Sequence, residues 1–173
     1  MSKFMVVTGV GPRCGTSYVM NEARKAGLPI HGERFLSGSY VSVPEHNIEG
    51  YWETDPNKLK SFLDNPSGII KLWNPILKEI DQSLISGLVL LERKDKQAQL
   101  QSMKKVFRAE MKIPINKLLA EVLNISPESI FLSYMHSIDS WVKARDPKTV
   151  LQVYTEDLTE RTQEIITFFK THL

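Results

Sequence analysis

A single cysteine, Cys14, stands among the 173 residues, so no disulfide can form within the chain. No apolar run approaches the roughly 20 residues that a membrane span needs. The start, "MSKFMVVTGVG", gives way to glycine after a handful of apolar residues, too few for the core of a secretory signal. Charge of one sign is also scarce. The net charge of +2 is too mild for a protein built to hold bulk nucleic acid, and it leaves room for a local basic pocket. Internal repeats and low-complexity tracts are absent. These absences point to a reduced, cytoplasmic protein with no nucleic-acid partner and no membrane span. The length fits one domain over residues 1–173.

What is present is an alternation of short apolar runs with helical segments. "FMVVTGV" (Phe4–Val10), "SGIIKLWNP" (Ser67–Pro75), "GLVLLER" (Gly87–Arg93) and "TVLQVYT" (Thr149–Thr155) have the continuous apolar character of buried parallel strands. Helices are expected from Thr16 to Ala26, with Gly27 as the stop, and over 56–64, 76–82, 94–111 and 115–123. Another begins at Ser126-Pro127, and the last covers 158–172. Leu100, Met103, Phe107 and Met111 recur at helical spacing and form one apolar face. A second face carries Phe131, Tyr134, Met135, Ile138, Trp141 and Val142; the final helix packs through Ile165, Phe168 and Phe169. Terminal His172 is expected to fray. The economical architecture is α/β: three layers, with a parallel sheet flanked by helices. Residues 31–54, rich in Gly, Ser and Pro, read as a long loop, a lid on the substrate side.

The stretch "VVTGVGPRCGTSY" (Val6–Tyr18) runs from strand through a glycine-rich loop into a helix. Unpaired N–H groups at a helix start, glycines and the Arg13 guanidinium suit a phosphate or sulfate group. The spacing is not that of the common nucleotide-binding loop, G-x-x-x-x-G-K-[ST]. With Gly15 as its second glycine, the first falls on Val10, and the lysine position holds Thr16.

"PRCGTSY" (Pro12–Tyr18) instead resembles the 5′-phosphosulfate loop of the sulfotransferases, P-[KR]-S-G-T-[ST]-W, with Cys14 in the serine position. "NIEGYWE" (Asn47–Glu53) is similar to the N-x-x-G-Y-[FW]-E of bacterial members. "LLERKDKQAQLQS" resembles the family's strand, basic residue and serine, with Lys94 eight residues before Ser102 and Arg93 nine before it. "VYTEDL" is similar to "YEDL" with one residue inserted. Two departures stand beside these. Trp73 of "KLWNP" occupies the place of the histidine base of the cytosolic branch, and the family's R-K-G and G-x-W segments have no counterpart.

The resemblance implies a P-loop NTPase-like, sulfotransferase-like fold. It implies transfer of a sulfuryl group from 3′-phosphoadenosine 5′-phosphosulfate (PAPS; product PAP) to a small-molecule or glycan acceptor, without a metal. The implied cofactor-binding residues are Pro12, Arg13, Cys14, Gly15, Thr16, Ser17 and Tyr18 around the 5′ end, and Arg93, Lys94 and Ser102 at the 3′-phosphate. In-line transfer would use Arg13 to neutralise the leaving group, Lys71 to bridge to the sulfate, and a base at the acceptor hydroxyl. Glu53 is the first candidate base; Glu45, His46 and His31 are others. Tyr51 and Trp52 can line an acceptor pocket or pack as a lid. Two alternatives remain at this stage: a non-catalytic nucleotide-binding protein, and a P-loop phosphotransferase. The latter lacks both the loop lysine and a strand ending in a Mg²⁺-binding Asp; Glu92 is the nearest substitute.

Overall fold

The computed structural model describes residues 3–11, 13–35, 51–54, 56–72, 74–77, 79–110, 121, 123, 125–143 and 145–173. Its strands are β1 (Phe4–Gly9), β2 (Ile30–His31), β3 (Glu33–Phe35), β4 (Tyr51–Glu53), β5 (Ile69–Lys71), β6 (Ile85–Glu92) and β7 (Val150–Tyr154). Its helices are α1 (Thr16–Lys25), α2 (Pro56–Asp64), α3 (Asn74–Leu77), α4 (Lys96–Glu110), α5 (Pro127–Lys143) and α6 (Leu158–His172). Five strands pair in the order β2-β5-β1-β6-β7, and every pairing is parallel.

The period of two explains the layers. On β1, Met5 and Val7 face one side of the sheet while Phe4 and Val6 face the other. The first pair joins Val19, Met20 and Ala23 of α1 and Ile165, Ile166 and Phe169 of α6. The second joins Leu77 of α3 and Ile138 of α5, with Leu59 and Phe62 of α2 against them. A sheet covered on both faces needs strands apolar throughout, and all six residues of β1 are buried. The expected α/β class and the three layers are therefore observed.

The chain leaves β1 toward β5 and β2, then crosses back over β1 to build β6 and β7 on its other side. The strand order thus reverses at β1. In open parallel sheets, ligands bind beyond the carboxyl ends of the strands at such a point.

Several boundaries differ from the sequence reading. The edge strand β2 was not expected. The long loop is bracketed by an antiparallel pair, β3 with β4, in which Glu33 is in register with Glu53. Its remainder, 36–50, with Glu45 and His46, lies outside the described residues. β5 ends at Lys71, and Asn74-Pro75 opens α3 instead of closing a strand, as suits proline in a first helical turn. The helix expected over 76–82 is replaced by the end of α3 and a 3₁₀ turn at Gln82–Leu84. The helix expected over 115–123 falls largely outside the described residues. His172 does not fray: its ring packs on Phe168 with centroids 4.4 Å apart.

Candidate anion site at the carboxyl end of the sheet

The loop between β1 and α1 is pinned on both sides of the sheet. Val10 is buried in one core and Cys14 in the other. Three residues in or bordering it have left-handed backbone: Gly11 (φ 91°), Arg13 (φ 69°) and Gly15 (φ 82°). Left-handed residues in alternation curl a chain into the concave turns that bind anions. For Arg13, which has a side chain, that conformation costs about 1–3 kcal/mol, and such strain clusters at functional sites.

Gly15 is the N-cap of α1 and brings no capping side chain. The first-turn N–H groups of α1 therefore aim back along the helix axis at the loop, where the helix dipole is positive. A Cβ on Gly15 would lie 2.5 Å from Leu158 Cδ1, the tip of a side chain that can turn aside, so it is the left-handed turn that favours glycine here.

The loop is tied to α4 by two residues one helical turn apart. Arg13 Nε donates to Ser102 Oγ at 3.1 Å, across 89 positions of sequence. Gln99, wholly buried, donates Nε2 to the Val10 carbonyl at 3.0 Å and lies 2.9 Å from Cys14 Sγ. The structure thus unites two residues that the sequence assigned to opposite ends of the nucleotide, Arg13 and Ser102.

Arg93 and Lys94 follow β6 at the adjacent strand end. Lys94 Nζ contacts Asp157 Oδ1 at 2.7 Å, and that bond raises its pKa. The Glu156 carboxylate accepts from the backbone N–H of Lys94 at 3.0 Å and lies 3.4 Å from that of Asp95. Partial burial works against the Glu156 charge, but these N–H groups and the Arg93 charge outweigh it and hold its pKa below the usual value. Arg93 Nε is shielded from solvent without a hydrogen bond among the described residues; Glu156 Oε1 is 3.8 Å away, beyond bonding range.

Lys71 is buried at the carboxyl end of β5, in register with Val7 of β1. Thr54 Oγ1 donates to its carbonyl. Tyr18 OH is 3.0 Å from Thr162 Oγ1, and the Tyr18 ring packs partly buried between α1 and α6. Ser17 is buried and Thr16 half-buried in the first turn of α1. Glu53 belongs to β4, which lies against α1. Pro12 and Trp73 lie outside the described residues. Sequence reasoning missed Gln99 and Thr155. For Gln99 a signal existed: it sits three residues before Ser102, on the same helix face.

Cys14 is buried in the core shared with α1 and α6. Burial pushes its thiol up to about 12, and the nearby cations Lys96 and Arg93 do not offset that. The fold therefore favours the neutral thiol. That contribution is intact below the unfolded value of 9.0 and is lost as pH rises from there toward about 12. Native Cys14 is expected to react with iodoacetamide at about pH 8 at least tenfold more slowly than the urea-unfolded chain. Equal rates would mean that the loop opens readily.

Among the described residues no cluster of His, Cys, Asp and Glu is placed to hold a metal ion, and no helix is long and apolar enough to cross a membrane. Comparison with known proteins finds no family model that matches the chain and no curated protein that matches its sequence.

Proposed function

We propose that the chain is a sulfotransferase that binds PAPS at the β1–α1 loop and passes its sulfuryl group to a hydroxyl or amine acceptor. The reading rests above all on the Arg13–Ser102 bond beside the uncapped start of α1. It joins a guanidinium fork, a hydroxyl and a helix N-terminus at one strand end, a donor set suited to an anionic group, and Arg93 and Lys94 after the adjacent strand β6 supply cations for a second. Bound there, PAPS would supply the activated sulfuryl group.

The chain's own residues would neutralise and position. Arg13 and the N–H groups at the start of α1 would take up negative charge at the 5′ end. Ser102 with Arg93 would hold the 3′-phosphate; Arg93 Nε makes no hydrogen bond among the described residues but is shielded from solvent, so the side chain would have to turn to present it. Lys94 would contribute only by loosening its bond to Asp157. Lys71 is the candidate cation on the acceptor side, and Glu53 the candidate base.

A second reading keeps the nucleotide and drops the chemistry. Trp73, in the place of the family's histidine, favours a non-catalytic PAP-binding protein of the same architecture.

Titration with PAP and with Mg·ATP, followed by thermal stability, tests the shared claim. PAP at about 100 times its Kd is expected to add about 2.7 kcal/mol of stability, and Mg·ATP less. Preferential binding of Mg·ATP would overturn both readings in favour of a phosphotransferase. Transfer of labelled sulfate to an acceptor panel then separates enzyme from binder.

A further inference from the structure

Segments that lie far apart in the chain meet at one turn. β7 ends at Tyr154, and Thr155–Asp157 forms a single 3₁₀ turn before α6. The Thr155 hydroxyl lies 2.9 Å from the carbonyl of Cys14, in the anion loop, and 3.1 Å from that of Glu92, at the end of β6. One proton serves two carbonyls, so the hydroxyl bridges them. The next residue, Glu156, faces the N–H groups of Lys94 and Asp95, and Asp157 takes the Lys94 ammonium. Leu158 then fills the space beside Gly15. Four consecutive residues thus touch both the β1–α1 loop and the β6–α4 junction.

We infer that the Thr155–Asp157 turn is a positioning clasp that sets the spacing between the anion loop and the cationic Arg93–Lys94 junction. It thereby selects ligands carrying two phosphate groups at a fixed separation. The inference rests on the nucleotide reading above and adds a determinant of specificity to it. A ligand held at two points gains from the second contact only when the protein presents both at the right distance beforehand. A ligand with one phosphate engages one half alone and is indifferent to the spacing. Thr155 and Glu156 touch neither phosphate in this account; they act through Cys14, Glu92 and the start of α4.

The test compares adenosine 3′,5′-bisphosphate with adenosine 5′-monophosphate by calorimetric titration of wild type, Thr155→Val, Thr155→Ser and Glu156→Gln. Thr155→Val and Glu156→Gln are expected to weaken the bisphosphate about tenfold or more and the monophosphate by less than about twofold. Thr155→Ser keeps the bridging hydroxyl and restores wild-type affinity. Equal weakening of both ligands, or an unchanged bisphosphate affinity in both variants, would overturn the clasp while leaving the nucleotide reading intact. If wild type binds neither ligand, the nucleotide reading itself fails, and the clasp with it. Should Thr155→Val not fold, the partly exposed Glu156→Gln decides the matter by the same ratio.

Discussion

Replacing Gly68 with alanine is expected to cost about 3 kcal/mol or more of folding stability, a large share of the roughly 5–15 kcal/mol typical of a domain. Gly68 has φ +77°, and a Cβ there would lie 2.6 Å from the carbonyl oxygen of Pro29. The left-handed conformation alone costs a side-chain-bearing residue about 1–2 kcal/mol. The remainder comes from the clash, which is with backbone and cannot be relieved by a rotamer change. That same carbonyl accepts the Ile69 N–H at 2.8 Å, and the Gly68 carbonyl accepts from Met5 at 2.9 Å. Moving either strand weakens the join of β2 and β1 to β5. Gly27→Ala is the control: its φ is +71°, but a Cβ there meets nothing within 4 Å. Urea unfolding of both variants isolates the clash. If Gly68→Ala loses no more than Gly27→Ala, the sheet edge yields freely and the contact with Pro29 costs nothing.

Elements whose signal is local were legible in the sequence. β1 is a continuous apolar run, and α1 stops at Gly27, whose N–H bonds to Arg24 while that of Leu28 bonds to Ala23, closing the helix end. Of the apolar faces expected on α4 and α6, Met103, Ile165 and Phe169 are buried and Leu100, Phe107 and Phe168 half-buried, while Met111 lies outside the described residues. β2 was not legible because two residues carry no period; Ile30 and His31 are a strand only because Ile69 and Ile70 lie beside them. The β3–β4 pair is hidden likewise, since the partners of its three-residue strands stand 16 to 20 positions apart. At Asn74-Pro75 the apolar run continued past the true strand end, and proline was read as its terminator instead of a helix start. The candidate site divides the same way. Its glycines, Arg13 and hydroxyls were visible as a motif. The bonds from Thr155 to Cys14 and from Gln99 to Val10 span 141 and 89 positions, and no local pattern announces them.

Arg13→Ala is expected to weaken binding of adenosine 3′,5′-bisphosphate by about 100-fold or more, and to leave the fold nearly as stable as before. The side chain is half-buried and outside both cores, and its removal leaves the left-handed backbone of residue 13 as it was. A hydrogen bond from a charged group to an anion contributes about 1.5–3 kcal/mol, and a guanidinium fork can make two. Its Nε already bonds Ser102, which fixes the plane of the fork, so the loss on ligand binding is of interaction more than of order. Arg13→Lys therefore recovers only part of the affinity: the charge returns, but the fork and the link to Ser102 do not. Ser102→Ala keeps the charge and loses the link, for a smaller loss of about fivefold to tenfold. Titration at two salt concentrations adds a second readout. Wild-type affinity should fall as salt rises, and the Arg13→Ala variant should show a shallower dependence. Affinity within about threefold of wild type in Arg13→Ala, with the salt dependence unchanged, would place the anion elsewhere. The glycine-rich turn would then be a means of joining β1 to α1 and nothing more.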